Sequence, residues 1–213
     1  MTNLELIYQA ILKGKHKDAV TYTNIAIEEG ANPKDIIDNY MIKAMEDIGQ
    51  RFENQQAFVP ELLMSGKAMK SSLNILRPLL KDSGADSISL GKVVIGTVKG
   101  DLHDIGKNLV ASMFEGCGFE IIDVGIDVTS DKFIEAIKEH DADILGMSAL
   151  LTTTMPYMKI VIDALKEAGL RDKVKVMVGG APISERFALE IGADGYSDSA
   201  NSAVAKAKEL LQA

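Results

Sequence analysis

The apolar positions of this chain follow two different rhythms. Through about residue 83 they recur three and four apart, the spacing of helices that bury one stripe. Leu4, Ile7, Ile11 and Leu12 form a first stripe that stops at Gly14, and a second helix is expected from about Lys17 to Glu29, ending at Gly30. Asn32-Pro33 opens a third, proline being suited to a first turn, with Ile36, Ile37, Tyr40, Met41, Ala44, Met45 and Ile48 on one side. A fourth begins near Pro60 and carries Leu62, Leu63, Met69, Leu73, Ile75 and Leu76; Pro78 is expected to bend or shorten it. Four helices with short connections predict a bundle.

Residues 81–91 are polar and rich in Gly and Ser, and read as a linker. Beyond them short apolar runs alternate with amphipathic stretches. Strands are expected at 92–98, 119–124, 143–148, 174–178 and 194–197, with helices at about 105–116, 130–139, 156–168, 184–191 and 200–211. Apolar strands separated by helices imply a parallel sheet covered on both faces. Five such units fit a flavodoxin-like, doubly wound (Rossmann-type) domain. The fold class is therefore α followed by α/β, divided into residues 1–88 and 89–213.

In such a sheet ligands bind beyond the carboxyl ends of the strands. Four loops of the chain fall there: Gly100-Asp-Leu-His-Asp-Ile-Gly106, Ser148-Ala-Leu-Leu-Thr-Thr-Thr154, Gly179-Gly180-Ala181 and Tyr196-Ser-Asp-Ser-Ala200. The loop after the second strand, Gly125–Ser130, reads as a plain turn with Ser130 capping the next helix. His103 has a carboxylate two residues upstream, and a carboxylate that accepts from Nδ1–H presents Nε2 outward. Asp104 suits the cap of the following helix, whereas Asp101 stands one turn too early for that duty.

The chain has 213 residues, three histidines, one cysteine and a net charge of −8. That charge argues against a general nucleic-acid surface. Cys117 alone excludes an internal disulfide and a multi-cysteine metal site, and reads as a buried thiol at a helix end. His16 and His140 read as solvated residues away from the ligand loops. A zinc site needs three or four protein ligands, which these loops lack. His103 is thus either a single imidazole completing the ligand set of a metal held by a macrocycle, or a general base without metal. No run approaches the ~20 apolar residues of a membrane span, and Met1–Leu6 lacks the charged start and apolar core of a signal peptide, so the expected location is the cytoplasm.

Asp101-Leu102-His103-Asp104-Ile105-Gly106 matches the Asp-x-His-x-x-Gly signature of cobalamin-binding proteins. Ser148-Ala-Leu150 and Gly179-Gly180-Ala181 follow on the third and fourth loops, and Gln50-Arg-Phe52-Glu with Ala57-Phe58-Val59-Pro60 resembles the helical cap of that family. Across nearly its whole length the chain is similar to the corrinoid proteins of methylamine, betaine and methanol methyltransferase systems, and to the cap and cobalamin modules of methionine synthase.

The resemblance implies a cobalamin or related corrinoid bound base-off, with His103 as the axial ligand to cobalt. Asp101 would hydrogen-bond His103, and Thr154 would end the relay where methionine synthase has serine. Gly100, Leu102, Asp104, Ile105 and Gly106 would surround this ligand. Ser148, Leu150, Thr152, Gly179, Gly180, Ala181, Tyr196 and Ala200 would line the slot for the nucleotide tail, and Phe52 and Val59 would shield the methyl-bearing face. It implies a methyl carrier in which cob(I)alamin accepts a methyl group and methyl-Co(III) delivers it to tetrahydrofolate or coenzyme M. Its partners would be a substrate-specific methyltransferase, a second methyltransferase and a reductive activase, with neither nucleic acid nor membrane. The alternatives are a cobalamin-dependent mutase subunit, a B12-sensing regulator and, without a corrinoid, a hydrolase using His103 and Ser148.

Overall fold

The computed structural model describes residues 2–82 and 90–212. The expected linker at 81–91 and the expected boundary after residue 88 fall largely or wholly outside the described residues. The chain divides into two compact units, one running to Leu90 and including Ser112–Gly118, the other comprising Gly91–Ala111 and Phe119–Ala213.

The first unit is helical. Thr2 caps α1 (Asn3–Leu12), its hydroxyl accepting from the Glu5 amide. After α2 (His16–Glu28), Asn32 caps α3 (Pro33–Asp35) by accepting from the amides of Lys34 and Asp35. Hydrogen bonding then widens into a π-turn over Ile36–Met41 before α4 (Ile42–Glu53), so the expected third helix carries a bulge in its first half. Its stripe survives: Ile36, Met41 and Met45 are fully buried with Ile7, Ile11, Met69, Leu73 and Leu76. The fourth helix, α5 (Val59–Asp82), runs through Pro78 rather than stopping at it. Pro78 lies on the exposed side, where the carbonyl that loses its amide partner can meet water.

The second unit is a five-stranded parallel sheet of order β2-β1-β3-β4-β5, formed by β1 (Lys92–Val98), β2 (Glu120–Val128), β3 (Ile144–Ser148), β4 (Lys175–Gly179) and β5 (Gly195–Tyr196). The strands are joined by α6 (Ile105–Gly116), whose residues from Ser112 on group with the first unit, α7 (Ser130–His140), α8 (Tyr157–Glu167) and α9 (Glu185–Ile191), and β5 is followed by α10 (Ala200–Gln212). This is the flavodoxin-like order, and its direction reverses between β1 and β3. Val94, Val98, Leu145, Val176 and Val178 bury one sheet face against Phe133, Ile137, Met158, Val161 and Leu165.

One expectation fails at β2. The plain turn read at Gly125–Ser130 is strand as far as Val128, and Thr129 rather than Ser130 caps α7, accepting from the Lys132 amide. The strand lengthens through two register shifts against β1: Asp123 pairs with Ile95, Gly125 with Gly96 and Val128 with Val98.

Candidate functional site

The loop that follows β1 turns at once, the Asp101 amide donating to the Val98 carbonyl at 3.1 Å. That turn drives the Asp101 side chain inward, where it is 0% exposed. A buried carboxylate must be satisfied by donors, and Asp101 has five. Oδ1 accepts from the His103 amide (3.1 Å) and lies 2.7 Å from His103 Nδ1. Oδ2 accepts from the amides of Leu150 (2.7 Å) and Leu151 (3.2 Å) and from the Thr154 hydroxyl (2.7 Å). The Thr154 oxygen also lies 2.9 Å from the Leu151 carbonyl, but it has one proton, and the charged carboxylate is the stronger acceptor.

Burial alone pushes the Asp101 carboxyl up. The hydrogen bonds from Thr154, the Leu150 amide and His103 outweigh it and hold the group well below the usual carboxylate range. Asp101 is therefore ionised and accepts at both oxygens, which makes His103 Nδ1 the donor. The lone pair is left on Nε2 of an imidazole whose side chain is 51% exposed.

The main chain around this pair is held as well. Thr97, buried in β1, donates its hydroxyl to the His103 carbonyl at 2.9 Å. The Gly100 amide donates to Asp127 Oδ1 at 2.7 Å, and the Asp127 amide returns a bond to the Asp101 carbonyl at 3.1 Å. On the neighbouring loop, Gly180 has φ +129, and a Cβ there would stand 1.9 Å from the Ala149 carbonyl oxygen. Only glycine lets the loop after β4 approach the loop after β3 this closely.

The remaining expected residues fall on the same sheet edge with looser ties. Asp104 directly precedes α6, and its carboxylate accepts from the Asn108 side chain. Ser148 pairs with Gly179 across β3 and β4 and, unlike Asp101, makes no hydrogen bond to the imidazole among the described contacts. Thr152 and Ala181 are exposed in their loops, Tyr196 is half-buried in β5, and Ala200 is buried at the start of α10. Phe52 and Val59 belong to the helical unit, the first near the end of α4 and the second opening α5. Cys117 is a buried thiol outside any disulfide.

Around His103 the surface is apolar: Ile105 is 84% exposed and Leu102 66%, with Leu150 and Leu151 exposed beside them. A cluster of exposed large aliphatic side chains at one sheet edge marks a binding surface. A Cβ on Gly106, in the first turn of α6, would meet nothing within 4 Å. Among the described residues no three His, Cys, Asp or Glu side chains converge as metal ligands.

Residues 91–205 match the B12 binding domain family, and residues 4–77 match a second B12 binding domain family. Over 208 residues the chain is 46% identical to the dimethylamine corrinoid protein of Methanosarcina barkeri, covering 98% of this chain and 97% of that relative. The chain belongs to the B12-binding corrinoid protein family. A corrinoid protein of Desulfitobacterium hafniense is 41% identical, with 99% of this chain and 98% of the relative covered. Among solved structures, the methanol:cobalamin methyltransferase complex of Methanosarcina barkeri superposes with TM-score 0.84 at 30% identity, over 99% of this chain and 80% of that one. A cobalamin-binding protein of Desulfitobacterium hafniense superposes with TM-score 0.80 at 31% identity, over 97% and 98%.

The residues present fit a B12-type group. A flat, largely apolar macrocycle that brings its own equatorial metal ligands needs one protein donor and an aliphatic bed, and the edge offers His103 Nε2 among Leu102, Ile105 and Leu150. No helix among the described residues is long and apolar enough to cross a membrane. Three contributors escaped the sequence reading: Thr97, Leu151 and Asp127. The first is one hydroxyl inside an apolar strand, the second acts through its amide, and the third lies in what reads as a turn.

Proposed function

We propose that this chain is a corrinoid methyl carrier, holding its cofactor base-off with His103 as the axial ligand to cobalt. The observation that carries the reading is the buried Asp101 carboxylate, which fixes the His103 tautomer from one side and takes the Thr154 hydroxyl from the other. When bound, the corrinoid supplies the nucleophilic cobalt that takes a methyl group and gives it up. His103 supplies Nε2, Asp101 keeps a proton on Nδ1, and Thr154 holds Asp101 ionised. The glycines at 179 and 180, with Ser148, Leu150, Thr152, Ala181, Tyr196 and Ala200, line the slot for the nucleotide tail.

The names of the relatives support a methylamine as methyl donor, with dimethylamine first. The chain then docks with a substrate-specific methyltransferase and a second methyltransferase that unloads the methyl group to coenzyme M or tetrahydrofolate, and a reductive activase restores it. The test begins with the purified chain incubated with hydroxocobalamin and desalted. Wild type should stay red, and its Co(II) form should show a nitrogen coupling in its paramagnetic resonance spectrum that changes on 15N-histidine labelling. His103→Ala should lose that coupling; identical spectra would sink the ligand assignment. Methyl loading by methyltransferases specific for dimethylamine, other methylamines and methanol then identifies the donor.

A further inference from the structure

We infer that Asp127 is a positioning residue for the axial histidine, an inference that rests on the reading of His103 as a cobalt ligand. Asp127 is far from the signature motif in sequence, yet it is bound to the main chain of that motif twice. Its carboxylate takes the Gly100 amide at 2.7 Å, and its own amide donates to the Asp101 carbonyl at 3.1 Å. Among the described residues, the other polar ties of Asp101 go to its side chain or its amide. The Asp127 amide therefore fixes the one part of Asp101 that the carboxylate network leaves to the loop.

Two features show that the fold goes out of its way to place this residue. Asp127 adopts φ +53, a left-handed conformation that L-residues other than Asn and Asp seldom occupy. The two register shifts in β2 also each add a residue relative to β1. Counting on from the Asp123–Ile95 pair without them, Val98 would stand beside Ile126; with them it stands beside Val128, so Asp127 lies just before the level of Val98 and its carboxylate reaches the Gly100 amide. Strand bulges of this kind re-aim side chains beside functional sites. A left-handed backbone held by two bonds to the ligand loop is a strained position put to use. The brace sets the height of the loop from which His103 projects, while the Asp101 carboxylate sets the tautomer and rotation of the ring.

Three variants separate the acceptor from the backbone conformation. Asp127→Asn keeps a carbonyl acceptor and tolerates the left-handed region. Asp127→Gly keeps the conformation and removes the acceptor. Asp127→Ala removes both, and the glycine variant carries the test if the alanine variant does not fold. In the corrinoid-free protein, hydrogen exchange at the Gly100 amide should speed up about tenfold in Asp127→Gly and stay near wild type in Asp127→Asn. After loading with hydroxocobalamin and reduction to Co(II), the histidine-nitrogen signal should fall several-fold relative to total cobalt in Asp127→Gly and be restored in Asp127→Asn. A wild-type nitrogen signal in Asp127→Gly overturns the brace, whatever the exchange rate. Wild type without any nitrogen signal overturns the ligand reading and the brace with it.

Discussion

The two edges of the parallel sheet use the same device for different ends. At the edge where strands begin, Asp143 accepts the Lys92 amide at 2.7 Å and bonds back through its own main chain to Lys92 and Lys175, stitching β1, β3 and β4. Asp194 accepts the Val176 amide at 2.6 Å and the Arg171 guanidinium at 2.8 Å. At the edge where strands end, Asp101 likewise accepts amides from a neighbouring loop, but one of its oxygens also holds an imidazole whose other nitrogen faces outward. The entering edge spends its carboxylates on backbone and Arg171. The leaving edge uses its carboxylate to orient a donor, and it alone is surrounded by exposed Leu102, Ile105, Leu150 and Leu151. A carboxylate becomes a functional group here by having one partner that is not finished.

The sharpest way to break this contrast is at Gly180. Gly180→Ala forces a Cβ into the Ala149 carbonyl and should lower stability by about 3 kcal/mol in urea unfolding, with loss of corrinoid retention, because the loop carrying Leu150 and Thr154 must move. The next test sets the two edges against each other. In Asp101→Asn the amide carbonyl can still take Leu150 and Thr154 only if its NH2 faces His103; the imidazole must then accept at Nδ1 and carry its proton on Nε2, which removes the ligating lone pair. Corrinoid affinity, read by titration, should fall about 10–100-fold. Asp194→Asn should lower stability by about 1–2 kcal/mol through Arg171 and Val176 while leaving corrinoid affinity unchanged.

Acid tests the carboxylate of the leaving edge. Asp101 has a folded-state pKa below its ordinary value of 3.8, so the stability it contributes is complete above that value and is lost as pH falls below it. The stability gap between wild type and Asp101→Asn should therefore begin to narrow as pH falls below about 4 and should still be narrowing at pH ~2, because the folded carboxyl holds its charge well below the usual carboxylate range. The smallest effect belongs to Thr154. Thr154→Val should cost about 1 kcal/mol and weaken the histidine-nitrogen signal, and Thr154→Ser should restore both, because the hydroxyl rather than the methyl group reaches Asp101.

The alternation of strands and helices was legible because parallel strands buried on both faces are continuous apolar runs, as in Lys92–Val98. The end of β2 was not: Gly125, Ile126 and Asp127 place a glycine, an exposed isoleucine and a left-handed aspartate in a row, which locally spells a turn. The π-turn at Ile36–Met41 was hidden for the opposite reason, since the apolar stripe passes through it undisturbed. In the site, Asp101 and His103 were legible as neighbours in sequence, and Thr154 through a resemblance. Thr97, Leu151 and Asp127 act through main-chain atoms or across strands, and residue types do not spell such contacts.

Gly106 leads to a different kind of consequence. Unlike Gly180, it has no tight neighbour and no backbone requirement, and an alanine there would fit the helix with room to spare. Glycine within a helix gives up about 0.5–1 kcal/mol relative to alanine. The first turn of α6 is thus less stable than this fold would allow, and what the missing Cβ leaves is open surface three residues along the chain from His103.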